Sequence, residues 1–463
     1  MAASSKLWER ATCYELGHVW TPSCLASTLS IANASVKYSF KLYAAFYLIS
    51  HTYGRLRKKQ RLSWSRVLSY LGDVLQSTSF LSSNVTLVIA AFCVFRHICG
   101  GFYTGFGFLS SFPACCIAIL TERKSRRGML ALYTTNLAME VLFNMCKQRG
   151  FVSPIKNGEV LLFAAASAII FFLLRKGNCL TKDAKSALKL LVGNSEMPAS
   201  EQESNQDTGP SSSHPGQQDS PSFTQFLPKM LQTTITNFIN RLKDLSKHSL
   251  CLHESSCLYY SLEAFLRRFF LGYTIQGFIN VLRALSSAFS NPGEIPRALY
   301  HKDNFSLGLF LGFYSGLFRS ISCLLRRLRN KDNPIHGLLA GFIAGLSAMF
   351  YRSKTLSLYL TSKAAENVFF KLQDLKYLPI IPHGDVLLYA LTTSVVLQAA
   401  VFEPHQIRPA YWKFLCGLTG NKFALMNRKL LDVSGTQASK LYPDYWPQYD
   451  TRFTPNLQAA GLV

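Results

Sequence analysis

The stretch LALYTTNLAMEVLF at residues 130–143 recurs as LSLYLTSKAAENVFF at residues 356–370. At a constant offset of 226, Leu130, Leu132, Tyr133, Thr135, Ala138, Glu140 and Phe143 meet Leu356, Leu358, Tyr359, Thr361, Ala364, Glu366 and Phe369. Average usage would give about one identity over such a length. The same offset pairs Gly158, Val160, Leu161 and Leu162 with Gly384, Val386, Leu387 and Leu388, and sets Glu159 against Asp385. Upstream the offset becomes 230, and Tyr70, Asp73, Phe80, Leu81, Cys93 and Arg96 meet Tyr300, Asp303, Phe310, Leu311, Cys323 and Arg326. Each half also opens with a cysteine pair around a histidine: Cys13, His18, Cys24 and Cys251, His253, Cys257. Shared apolar bias does not hold one offset across a helix, a loop and the next helix. The chain is an internal duplication.

What is duplicated is apolar. The 463 residues are 49% hydrophobic and 13% aromatic, and only 16% are charged, against ~25% in an average soluble domain. Ten apolar stretches run at about 37–53, 78–95, 102–120, 129–145 and 158–174, then 262–282, 304–325, 334–350, 355–372 and 384–402. Most approach the ~20 residues a helix needs to cross a bilayer. The expected fold class is therefore all-α: a polytopic helical membrane protein with two homologous bundles of four to five helices each. Lys41 in the first stretch and Arg267 and Arg268 in the sixth suit a helix lying in the interface rather than spanning. This composition excludes a disordered chain and a typical cytosolic enzyme. Twelve cysteines in so long a chain do not make a disulfide scaffold. The beginning, MAASSKLWERATCYELGH, has no apolar core of the signal-peptide type, so secretion by a cleaved signal is not expected. AGLV at the end is not a peroxisomal matrix signal.

The expected organisation is a first membrane repeat over 1–176 with a cysteine-containing N-terminal segment, and a cytosolic linker over 177–247. A second membrane repeat over 248–402 and a basic interfacial tail over 403–463 complete it. Within the linker, 194–222 is rich in Ser, Gln, Pro and acid and reads as disordered. The tail mixes Tyr411, Trp412, Phe414, Leu415, Phe423, Met426 and Leu430 with basic residues, which suits an interfacial or partner-docking helix.

The formal net charge is +24. Nucleic acid is one partner for such a charge, but the basic residues cluster in short loops between apolar runs. There they meet anionic lipid headgroups and fix orientation. The expected partner is the bilayer and not nucleic acid. In the first half the strong loop holds Arg123, Lys124, Arg126 and Arg127; in the second half the strong loop is the preceding one, with Arg326, Arg327 and Arg329. A positive loop that changes ends fits five-plus-five inverted copies. Four-plus-four parallel copies remain the alternative, if the first helix of each half lies in the interface.

Among candidate sites, Glu140 and Glu366 stand at one repeat position inside apolar helices, with Tyr133, Tyr359 and Lys363 as neighbours. A carboxylate there is costly and marks a functional hypothesis. It is either a polar clamp between helices or a central transport site. Gly337, Gly341 and Gly345 recur every four residues and let two helix backbones approach, within the chain or between subunits of a homo-oligomer. Glu159 and Asp385 complement the start of their helices. The spacings of the Cys/His groups match no standard zinc finger, and each offers three ligands where a structural zinc site wants four. No metal and no cofactor are expected. With no phosphate loop, nucleophile elbow or His-Glu-x-x-His, no catalytic residue is assigned.

Several longer stretches carry a resemblance: CYELGHVWTPSC at 13–24, ERKSRRG at 122–128, NGEVLLF at 157–163, AGFIAGLSAMFY at 340–351, and RPAYWKF with NRKLLDV in the tail. They resemble the transmembrane protein 135 family. The second half, with its glycine-spaced helix, also looks like the mitochondrial inner-membrane translocase channels and small peroxisomal membrane proteins. The resemblance implies a non-enzymatic multipass protein of mitochondrial and peroxisomal membranes. It further implies a role in mitochondrial fission through the dynamin-related fission GTPase, and in lipid and peroxisome metabolism. The alternative reading is a transporter or channel for a solute or lipid using Glu140 and Glu366.

Overall fold

The computed structural model describes residues 10–58, 64–177, 180–193, 196–197, 237, 240–244, 247–251, 253–285, 294–379 and 381–463. Among these residues the regular elements are helices, with no strand. The first repeat supplies α1 (Cys13–Leu16), α2 (Cys24–Lys58), α3 (Trp64–Cys99), α4 (Phe106–Leu120), α5 (Lys124–Gln148) and α6 (Gly158–Arg175). After α7 (Lys182–Val192), the second supplies α8 (Cys257–Leu285), α9 (Glu294–Leu299), α10 (Lys302–Arg329), α11 (Pro334–Gly345), α12 (Lys354–Asp374) and α13 (Gly384–Phe402). The tail adds α14 (Pro409–Leu418), short 3-10 turns and α15 (Pro455–Ala459). The duplication is thus visible element by element: α2 to α6 correspond to α8 and α10 to α13.

Local chemistry starts these helices where they start. Thr12 and Glu15 form a reciprocal capping box on α1. Asn333 accepts from Ile335 N ahead of Pro334, and Ser353 accepts from Leu356 N, so α11 and α12 begin on side-chain caps. Four helical stretches are long and apolar enough to cross a membrane by length and composition: Val67–Cys99, Gly158–Arg175, Pro296–Arg329 and Gly384–Phe402. Phe106–Leu120 and Pro334–Met349 are shorter apolar helices. The first helix of each repeat also turns an apolar face outward: Leu25, Leu29 and Phe40 on α2, and Leu258, Leu262, Leu266 and Phe270 on α8. Exposed large side chains in such rows suit hydrocarbon and not water. The chain is a polytopic helical membrane protein.

The packed units are cut differently from the sequence repeats. One unit comprises 1–153 with 381–463, and the other comprises 154–380. The last helix of each repeat therefore packs with the first four of the other repeat. In the first unit, α13 is held by Asn84 Nδ2 donating to Tyr389 Oη (3.0 Å) and by the Thr134–Thr392 hydroxyl pair (2.7 Å). Gln398 accepts from Phe108 N and donates to Thr104 O, both at 2.9 Å. In the second unit, α6 stacks Phe171 on Phe318 at 3.9 Å, and Tyr314 donates to Ser167 Oγ at 3.3 Å. Polar groups inside an apolar bundle choose their partners strictly, because an unmatched one is costly. These pairs fix which helix each unit receives.

The tail, expected as a basic interfacial segment, is built into the first unit's core. Trp412, Leu415, Cys416, Met426, Leu430 and Leu431 are buried. Arg428 is buried too, its guanidinium 5.0 Å from the rings of both Trp412 and Phe423. Buried Glu15 accepts from Asn456 N (2.9 Å) and Leu457 N (3.1 Å), and so fastens the end of the chain to its beginning. The expected disorder over 194–222 does not extend to Glu196 and Met197, which are buried in the second unit. The remainder of that segment lies outside the described residues.

Candidate metal centres

The cysteine–histidine groups acquire the fourth ligand that three-residue spacing withheld. In the first unit, Cys13, His18 and Cys24 meet Cys93; in the second, Cys251, His253 and Cys257 meet Cys323. Within each group the four ligand atoms lie within 4.8 Å of one another. The fourth cysteine comes from inside an apolar helix, at the repeat position Cys93/Cys323. Each half thus offers four ligands and not three.

The two groups are built alike. Cys24 and Cys257 are the first residues of α2 and α8, the first long helix of each repeat. Cys93 and Cys323 each lie six residues before the end of the second, at Cys99 and Arg329. The remaining cysteine and the histidine come from the segment just ahead of the first helix. His18 Nδ1 is 2.7 Å from Thr21 O, and His253 Nδ1 is 2.6 Å from Ser255 O. A carbonyl can only accept, so Nδ1 carries the proton and the Nε2 lone pair is left for the thiols. Nε2 of His18 stands 3.3 Å from Cys24 Sγ, and Nε2 of His253 stands 3.4 Å from Cys323 Sγ. Cys251 Sγ and Cys257 Sγ are 3.8 Å apart and unbonded. Cys93 beside Cys13, together with His18, brings the Cys13 thiol down to about 5 against the opposing effect of burial. In the second group burial pushes the Cys251 thiol up.

An arginine follows each helix cysteine by three residues. Arg96 donates to Ala11 O and Arg10 O, both at 3.1 Å, and so holds the segment that carries Cys13. Arg326, expected on a basic surface loop, is 2% exposed. It pairs with Glu196 (3.1 Å) and Asp332 (3.3 Å), and Arg175 joins the same acids at 2.8 and 2.6 Å.

The other expected residues divide similarly. In the 122–128 loop, Arg126 binds buried Glu122 (3.3 Å) and Tyr47 Oη (2.5 Å), and also Ser77 Oγ. Arg127 is buried and donates to Glu122 O (3.0 Å) and Leu120 O (2.8 Å). Arg123 pairs with Asp73 at 2.5 Å. Lys124, Arg327 and Arg329 remain exposed. Glu140 is held by Arg408 from the tail, and Glu366 by Lys363 at 2.8 Å. Tyr133 and Tyr359 are half exposed. Gly337, Gly341 and Gly345 lie on α6: a Cβ would stand 2.6 Å from Phe171 O, 2.9 Å from Ser167 O and 2.5 Å from Ala164 Cα respectively.

Residues 10–147 match the family model for the N-terminal cysteine-rich region of Transmembrane protein 135. Over these residues the chain is similar to Transmembrane protein 135. The match covers α1 to α5 and includes all four residues of the first group, Cys13, His18, Cys24 and Cys93. It ends before the second half, whose likeness to the translocase channels gains no support from it. No solved structure matches the chain.

Proposed function

We propose that this chain is a non-enzymatic protein of mitochondrial and peroxisomal membranes, regulating mitochondrial fission and organelle dynamics together with peroxisomal and lipid metabolism. The likeness of residues 10–147 to Transmembrane protein 135 supports the setting. The observation that carries a scaffold rather than a transport path is how the two repeat glutamates are used; neither of their helices, α5 and α12, is among the four stretches long and apolar enough to cross a membrane. Glu140 and Glu366 lie in different packed units, and each has a cation of its own. A carboxylate that must bind and release cargo is poorly served by a permanent ion pair. The cationic side chains left outward, Lys124, Arg327 and Arg329, then serve as the contacts to anionic headgroups and to a partner such as the dynamin-related fission GTPase.

The test is replacement of Lys124, Arg327 and Arg329 together by Gln in cells lacking the native protein. The expected result is normal membrane insertion, with mitochondrial length no longer responding to the protein's expression. Unaltered organelle shape would reject the recruiting role for these residues. Solute or lipid flux through reconstituted protein that Glu140→Gln abolishes would favour the transport reading instead.

A further inference from the structure

We propose that the chain carries two structural zinc ions, one in each Cys3His group: Cys13, His18, Cys24 and Cys93, and Cys251, His253, Cys257 and Cys323. The donor set is that of structural zinc, three thiolates and one imidazole. Zinc–sulfur bonds of ~2.3 Å set tetrahedral S–S edges of about 3.8 Å, and Cys251 and Cys257 already stand at that separation. Both imidazoles are oriented by a backbone carbonyl on Nδ1 and present Nε2 to the sulfurs, the outer-shell arrangement that metal-binding histidines adopt. Leu16, Ile31, Phe92, Phe102 and Phe106 wall the cavity beside the first group and exclude water from that side.

The strongest point is the repetition. Ligand identity, helix position and imidazole orientation are the same in both repeats, although the loop spacing between the ligands differs. A chance cluster of free thiols would not reproduce the fourth ligand six residues from the end of the second helix each time. Three thiolates, a neutral imidazole and Zn2+ leave one negative charge. Arg326 stands one helical turn from Cys323, its guanidinium occupied by Glu196 and Asp332. The ion would clasp the segment ahead of the first long helix to the end of the second, adding in the first group to the hydrogen bonds that Arg96 makes to Ala11 O and Arg10 O.

The experiment is elemental analysis of the full-length chain purified in detergent without chelator. Two zinc ions per chain are expected. Cys93→Ser and Cys323→Ser should each lower this to one, and the double variant to none, while Cys146→Ser, outside both groups, keeps two. Should the single variants not fold, the wild-type chain still decides: blocking its thiols with an organomercurial must release two zinc ions to a colorimetric chelator. A cobalt-loaded chain should show the absorption bands of tetrahedral thiolate coordination. The proposal is overturned by a chain without zinc, by iron in its place, or by Cys13–Cys24 or Cys251–Cys257 disulfides in the mass spectrum. Zinc content untouched by both substitutions also overturns it.

Discussion

Arg326 and its neighbour Arg327 show how little a charge run says about any one of its members. Both stand at the basic end of α10, yet Arg326 is buried against Glu196 and Asp332 while Arg327 faces outward. Removing one partner of a buried pair leaves a charge that neither water nor protein neutralises. Glu196→Ala should therefore cost about 3 kcal/mol of stability, read as a lowered thermal unfolding midpoint in detergent. Arg327→Gln should change it by no more than about 0.5 kcal/mol. Equal effects would mean that the buried pairing is not what holds this corner. Repeat alignment already set Arg326 against Arg96, and Arg96 also points inward. What the sequence withheld was the partner, because Glu196 opens a stretch whose composition reads as solvated. The fourth cysteine was withheld in the same way. Cys93 and Cys323 were paired by the repeat, but a thiol in an apolar run reads as a small hydrophobe, far along the chain from its fellow ligands.

Helices existed in the sequence as apolar runs and their order was legible, but α2 (Cys24–Lys58) and α3 (Trp64–Cys99) extend well beyond the runs at 37–53 and 78–95. Which faces meet was legible only where small residues recur. Gly337, Gly341 and Gly345 announced a close contact, and the structure supplies its partner, α6. A second stripe passed unread. Gly308, Gly312 and Gly316 of α10 lie against Phe265, Phe269 and Ser261 of α8, with a Cβ at Gly312 only 3.0 Å from the Phe265 ring. Bulky residues interleave that stripe, so the helix looks uniformly apolar until the glycines are counted alone. The two contacts differ in tolerance. At Gly345 a Cβ would meet backbone, at Ala164 Cα, whereas at Gly312 the nearest atoms belong to a ring that can tilt. Gly345→Ala should cost about 1–3 kcal/mol through overpacking, and Gly312→Ala should fall at or below the lower end of that range. Differential scanning fluorimetry of the two variants in one detergent measures the order, and a reversed order would place the tighter contact at α8–α10.

Across the whole molecule, duplication predicted two like bundles, and the packed units are alike, but each completes itself with the other repeat's last helix. Sequence similarity cannot distinguish the two arrangements. α6 and α13 are homologous, and either could fill the groove beside α4 or α11 on hydrophobicity alone. Paired polar groups decide instead, with Tyr389 and Gln398 meeting Asn84 and Phe108 N in one unit and Tyr314 meeting Ser167 in the other. The exchange has a consequence for chain integrity. The linker between 198 and 236 separates α2–α6 from α8–α13, so cutting it divides both units. Neither fragment then holds a complete bundle, and each buries a helix in the other's groove. A protease site placed within residues 201–222 should therefore be cleavable with the two fragments still co-eluting on gel filtration in mild detergent. They should part only when the helices unfold. Two bundles built each from its own repeat would tend to separate once the tether is cut, and fragments that elute apart without unfolding would rule out the exchanged packing. A chain carrying Thr134→Cys and Thr392→Cys supplies the complementary reading, since the hydroxyls they replace are 2.7 Å apart. Oxidative cross-linking of these positions should then lock the cleaved fragments together even in denaturant.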